Sequence, residues 1–305
     1  MPFRGIRSRT AGLLLCGVLL ALAGSGACSG RVNFDGEAAY AHVRKQCGFG
    51  PRNPGSAGHR SCLNYLEAEL TRTGATVRRQ NFSYTPPGGR RLDMTNLVAS
   101  FLPEKTERIL LAAHWDTRPW ADMDPDTTRR HLPILGANDG ASGVAVLLEL
   151  ARLLGSEPTT YGIDIVLFDG EELCKKKNRE GFFRGAREFA STASGRKTVH
   201  ALLLDMVGDK DLLFYKEGNS VRAAPHTVDW VWKAGRAVAP AYFSDQVGYV
   251  VDDDHLPLIA AGIPCADLID FNYPPWHTHA DTPDKVSAAS LQVVGEVLVH
   301  LLYPD

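Results

Sequence analysis

Apolar positions along the chain follow two rhythms, and the two alternate. Short, nearly unbroken apolar runs occur at 95–101, 108–114, 163–168, 198–207 and 263–269. Runs of this length suit strands buried on both faces of a sheet. Between them, apolar residues recur three and four apart, as at Leu63, Leu66 and Leu70. Helices are therefore expected at 34–47, 61–72, 144–154, 182–190, 227–238 and 287–302. One more strand is expected at 76–84, followed by a turn at 86–91. Clusters of Gly, Pro and polar residues mark loops at 48–58, 117–133, 250–258 and 274–278. Strands alternating with helices predict an α/β class: a single domain over 29–305, with a mixed, mostly parallel central sheet flanked by helices. No internal repeat or low-complexity tract interrupts it.

Composition narrows the picture. The chain is 44% hydrophobic and 22% charged, with 33 Lys and Arg against 35 Asp and Glu. A formal net charge of -2 gives no general attraction to nucleic acid, and none is expected as a partner. The N-terminus differs from the rest. Arg4, Arg7 and Arg9 precede an apolar run at 11–23, which gives way to Gly24, Ser25, Gly26, Ala27 and Cys28. That order predicts a signal peptide over 1–28, since the apolar run is too short to span a bilayer comfortably. Ser25 to Cys28 also resembles a bacterial lipoprotein cleavage box. The mature protein is expected to be exported, as a periplasmic, extracellular or membrane-anchored lipoprotein. Its one route to a membrane is an N-terminal lipid anchor. Export permits disulfides, and Cys47 and Cys62 flank the loop at 48–58, so a bridge between them is expected. There is no CxxC pair, which makes cysteine a poor metal ligand here.

The chemistry concentrates where the apolar runs stop. The run at 163–168 ends in Asp169, Gly170, Glu171 and Glu172. Three carboxylates at the end of a buried strand repel one another and lose hydration. Either the turn stays solvated, or a divalent cation offsets the charge. Adjacent glutamates can then divide labour, one ligating and the other carrying a proton. His114, Asp139 and Asp205 lie at other strand ends or at a strand-to-helix turn. The carboxyl ends of strands in an α/β sheet line its ligand crevice. Singly, His114 could be a buried histidine, Asp139 a helix cap, and His277 a loop residue. Jointly, imidazole and carboxylate make a zinc-type ligand set.

The ordered segments His114-Trp115-Asp116, Gly136 to Gly143, Asp169 to Glu172, Leu204-Asp205, Asp253-Asp254-His255 and Trp276-His277-Thr278 resemble the zinc aminopeptidase superfamily. Within it they look most like the animal-type glutaminyl cyclases, and the loop from Gly50 to Gly55 belongs to the same pattern. The resemblance covers residues 35–302 and implies a zinc-aminopeptidase-like fold. It implies one Zn2+ on Asp139, Glu172 and His277. In the two-zinc aminopeptidases a second metal would sit on His114, Asp139 and Asp205. The long segment at 173–184, Asp253 and Trp276 lean towards the cyclases. That branch implies a peptide or protein N-terminus as substrate, with Glu171 carrying the proton. Asp205 and Asp253 would position it, and Trp276 would wall the pocket. It also implies a cis peptide bond after Asp139. The rivals are a zinc aminopeptidase hydrolysing the first peptide bond and a non-catalytic binding module of the same fold.

Overall fold

The structure, a computed structural model, describes residues 1–3, 32–173, 179–193 and 197–304. The expected leader, Cys28, Cys174 and the lysines at 175–177 lie outside the described residues. Val32–Asp305 forms one compact unit.

The strands are β1 (Thr76–Tyr84), β2 (Leu92–Phe101), β3 (Glu107–His114), β4 (Gly162–Phe168), β5 (Lys197–Asp205), β6 (Phe214–Glu217), β7 (Phe243–Tyr249) and β8 (Cys265–Ile269). Six of them make one sheet in the order β1-β2-β4-β3-β5-β8. β1, β2 and β4 pair antiparallel, while β4, β3, β5 and β8 run parallel. The sheet is mixed because the β1–β2 hairpin adds to the edge of a parallel core. β3 and β4 show the expected double-sided burial, with seven of eight and six of seven positions buried. Such strands need cover on both faces.

That cover comes from the helices α1 (Gly36–Cys47), α2 (Ala57–Arg72), α3 (Ala141–Ser156), α4 (Arg184–Thr192), α5 (Gly218–Ala223), α6 (Pro225–Val238), α7 (His255–Ala260) and α8 (Ala288–Leu302). One face of the sheet packs Leu97, Leu111 and Leu167 with Val43 of α1, Leu66 of α2, Leu147 of α3 and Leu298 of α8. The other packs Val98, Leu110 and Val166 with Ala186 of α4 and Leu258 of α7. Each such buried Leu or Val contributes about 2 kcal/mol by leaving water. Asp35 caps α1 by accepting the Glu37 and Ala38 amides, both at 3.0 Å. Ser56 and Ser287 cap α2 and α8 in the same way. No helix among the described residues is long and apolar enough to cross a membrane.

The structure departs from the expected elements in two ways. α2 begins at Ala57 rather than Ser61, because the Ser56 cap sits inside the presumed loop. β6, α5, β7 and α7 were not expected, and part of the presumed loop at 250–258 is α7. These elements are four to seven residues long, too short for periodicity to declare itself. The expected disulfide does not form either. Cys47 and Cys62 are free thiols buried in the core, each serving as a small apolar side chain. Burial pushes their thiols up, to about 11 and about 12.

Candidate active site

Parallel strands deliver their C-terminal residues to one edge of the sheet. β3 ends at His114, β4 leads into Asp169 to Glu172, and β5 ends at Asp205. Asp139 stands two residues before α3. Gly140 makes its approach feasible: its φ is +92°, and a Cβ there would lie 2.8 Å from the Asp116 carbonyl and 3.0 Å from the His114 ring. Gly143 lets α3 press on β5, since a Cβ would lie 2.3 Å from the Leu204 carbonyl. Asp281 holds the loop by accepting the amides of Asn138 at 2.8 Å and Asp139 at 3.2 Å. His277 comes from the loop after β8 at φ +57°, a left-handed conformation rare for a non-glycine residue.

Two three-residue clusters share Asp139. His114 Nε2 lies 3.2 Å from Asp139 Oδ1 and 3.3 Å from Asp205 Oδ1. His277 Nε2 lies 3.0 Å from Glu172 Oε1 and 3.7 Å from Asp139 Oδ2. In each cluster the potential ligand atoms fall within 4.8 Å of one another. Asp139 Oδ2 is buried without a hydrogen-bond donor, as a carboxylate oxygen kept for a cation would be. The donor set of one imidazole and two carboxylates fits zinc on either cluster.

Other residues hold these side chains from behind: Arg118 and Asp122, which the sequence did not point to, and Asp116, which the motif with His114 did. His277 Nδ1 faces Asp122 Oδ1 at 3.4 Å. Asp122 accepts from Arg118 Nε at 2.8 Å and Nη2 at 2.9 Å, and Arg118 Nη1 donates to Glu172 Oε2. Glu172, Arg118, Asp122 and His277 thus close a ring, the kind of outer support that fixes metal ligands. On the other side, Asp116 lies 3.6 Å from His114 Nδ1 and accepts the Glu171 amide at 3.1 Å. The motif at 50–55 has its reason in Arg52. Fully buried, it donates to the carbonyls of Trp115, Leu135 and Gly136 at 2.8–3.0 Å, tying the end of β3 to the Asp139 loop.

A cavity of about 630 Å³ opens onto the cluster holding Glu172 and His277. Glu171, Asp205, Asp253 and Trp276, all expected at the site, line it. Trp276 stacks on His277 at 3.7 Å and meets Phe271 edge-on at 5.0 Å. Phe182, Phe183 and Phe271 add an apolar wall that sequence reading missed. Phe182 and Phe183 come from the long segment after Glu172, and a Phe-Phe pair in a strand-end loop was the available signal.

Electrostatics separates the two adjacent glutamates. Burial and the neighbouring Glu172 charge push the Glu171 carboxyl well above its ordinary value. Burial also acts on Glu172, but His277 and Arg118 outweigh it and lower its pKa. His277 loses basicity to burial and regains more from Glu172 and Asp122, ending at about 9. Asp253 is raised well above the carboxylate range by burial, then by Asp205 and Asp254.

Two expectations fail here. Among the described residues there is no cis peptide bond, so the link after Asp139 is trans. The positive φ of Gly140 makes the turn without one. Asp169 does not join Glu171 and Glu172. Gly170, at φ +75°, turns the chain, and Asp169 faces back to His59 Nε2 at 2.9 Å and the Thr95 amide at 2.7 Å.

Comparison with known proteins agrees with this architecture. Peptidase family M28 matches residues 96–302. The crystal structure of Bacteroides thetaiotaomicron glutaminyl cyclase bound to N-acetylhistamine superposes with a TM-score of 0.85 and 38% identity, over 90% of this chain and 99% of that one. A leucine aminopeptidase precursor from Bacteroides thetaiotaomicron VPI-5482 superposes with a TM-score of 0.86 and 38% identity, over 90% and 98%. Glutaminyl-peptide cyclotransferase-like protein from Bos taurus is 26% identical, over 82% of this chain and 71% of its own. The chain belongs to peptidase family M28: it is an enzyme with that family's α/β fold, similar in sequence and structure to the glutaminyl cyclases.

Proposed function

We propose that the protein cyclises the N-terminal glutamine of peptides to pyroglutamate with release of ammonia. The observation that carries this reading is the separation of Glu171 from Glu172. Glu172 is drawn into the cluster with His277 and Asp139, while Glu171 faces the cavity with its carboxyl raised. Asp139, Glu172 and His277 would hold Zn2+, which when bound supplies Lewis-acid polarisation of the γ-amide carbonyl.

The substrate's α-amine is the nucleophile and bonds to the γ-carbonyl carbon as the bond to the amide nitrogen breaks. A carboxyl held above its ordinary range can both accept and return a proton. Glu171 takes one from the amine and gives it to the departing nitrogen, which leaves as ammonia. Asp205 and Asp253, beside Glu171 in the cavity wall, orient it and the leaving amide. Trp276, Phe182 and Phe271 exclude water and hold the flexible glutamine side chain in its folded form. Because nucleophile and electrophile share one molecule, ordering that side chain removes most of the entropic barrier.

His114, Asp139 and Asp205 would carry a second metal if the enzyme were instead an aminopeptidase. Incubation with Gln-Xaa and Leu-Xaa peptides separates the two. Ammonia loss from the first, with the second intact, supports the cyclase. Free leucine without pyroglutamate refutes it. The sequence signals at 1–28 support export of this activity, with residues 29–305 as the catalytic domain. Mass determination of the mature N-terminus tests that, and lipid on Cys28 with it.

A further inference from the structure

The acid wall of the cavity is a loop, Val250 to Asp254, with little regular structure of its own. Val250 is 61% exposed, yet Asp253 three residues on is 4% exposed. Something outside the loop must fix it. The corner where β6 turns into α5 does so. Glu217 Oε1 accepts the Val251 amide at 3.2 Å, and Asn219 Nδ2 donates to the Val251 carbonyl at 2.7 Å. Both backbone groups of one loop residue are thereby gripped. Glu217 Oε2 accepts from the Ser220 amide at 2.6 Å and Oγ at 2.8 Å, and faces His255 Nε2 at 3.3 Å. His255 is fully buried, and its Nδ1 lies 3.6 Å from Asp267 Oδ2 on β8. Ser220 Oγ in turn accepts the Asp267 amide at 3.0 Å.

We propose that Glu217, Asn219 and His255 are positioning residues that clamp Val250 to Asp254 at both ends and so aim Asp253 at Glu171 and Asp205. Val251 is gripped two residues before Asp253, and His255 two residues after it. Glu217 keeps its charge throughout the working range. Burial pushes its carboxyl up, but the nearby His255 ring and the hydrogen bonds from the Asn219 and Ser220 amides outweigh this and hold it at about 2. The clamp rests on the reading of Asp253 as part of the reacting wall, and its geometry is independent of which bond is made or broken.

The test uses the full zinc-loaded chain and two variants. Glu217→Gln weakens both ends of the clamp. Asn219→Ala removes the bond to the Val251 carbonyl, along with an exposed bond that Asn219 Oδ1 accepts from Arg222, and spares the Glu217 cap, so it stays informative if the first variant folds poorly. Hydrogen exchange read by mass spectrometry should speed up about tenfold at 250–256, with the central strands unchanged. With a glutamine peptide, kcat should fall about tenfold while KM stays within about twofold, as expected when a reacting group is displaced but binding is kept. Unchanged exchange at 250–256 in both variants overturns the clamp. So does a second zinc equivalent that Glu217→Gln loses, which would make Asp253, His255 and Asp267 a cation site. If the wild type fails to cyclise any glutamine peptide, the exchange result still decides the clamp, and that failure belongs to the cyclisation reading.

Discussion

On one side of the cavity Glu172 sits between His277 and Arg118; on the other, Glu171 faces Glu172, Asp253 and Asp254. Both glutamates are buried, and they are neighbours in sequence. Their carboxyls nonetheless move in opposite directions, Glu172 down and Glu171 up. Burial raises both, so the difference comes from the cations. The Glu172 side has a guanidinium and an imidazole within contact distance, while the Glu171 side is mostly acid, relieved by His114. On the proposed reading, the first wall stays ionised to hold a cation and the second holds and releases protons.

Exchanging carboxyls for amides on the two walls should break this contrast most sharply. Glu171→Gln is expected to lower turnover about a thousandfold, within the range of a lost general acid–base group, and to retain zinc. Glu172→Gln should lose the zinc. Elemental analysis beside turnover reads both, and the reverse pattern would swap the roles.

Removing the cation that distinguishes the walls should have the next largest effect. Arg118→Met opens the ring through Asp122 and His277 and leaves Glu172 free to rotate. Zinc affinity should fall about 10- to 100-fold, as for other lost supports of metal ligands. Chelator competition measures it, and an unchanged affinity would make Arg118 a purely structural ion.

His114 sharpens the comparison from the other cluster. In a one-zinc enzyme, His114→Ala keeps the metal and costs turnover at most about tenfold. Two equivalents in the wild type, with one lost in the variant, would support the aminopeptidase arrangement.

The smallest effect concerns pH. Glu217 has a folded-state value of about 2 against an ordinary 4.5. A lowered carboxylate stabilises the fold above its unfolded value, and that contribution disappears as pH falls through the folded value. Wild type should therefore melt above Glu217→Gln at neutral pH, and the gap should close between pH 4.5 and 2. A gap that is constant with pH would mean that Glu217 acts by shape alone.

What the sequence by itself determined is local. The nearly unbroken apolar runs located β3, β4, β5 and β8, because a strand buried on both faces tolerates few polar residues. Their ends located His114, Glu171, Glu172 and Asp205, since polar groups resume where burial stops. The order of the motifs identified the family, because that order follows chain connectivity. Tertiary structure alone decided the rest. Arg118 meets Glu172 across 54 residues of sequence, and Glu217 grips Val251 across 34. No periodicity carries such pairings. Asp169 lies one turn from Glu171, yet Gly170 sends it to His59, 110 residues away. Cys47 and Cys62 flank one loop, but the core uses them as apolar filler. Spacing along the chain specifies which residues reach the sheet edge, while the partner that sets each charge comes from whichever distant segment packs against it.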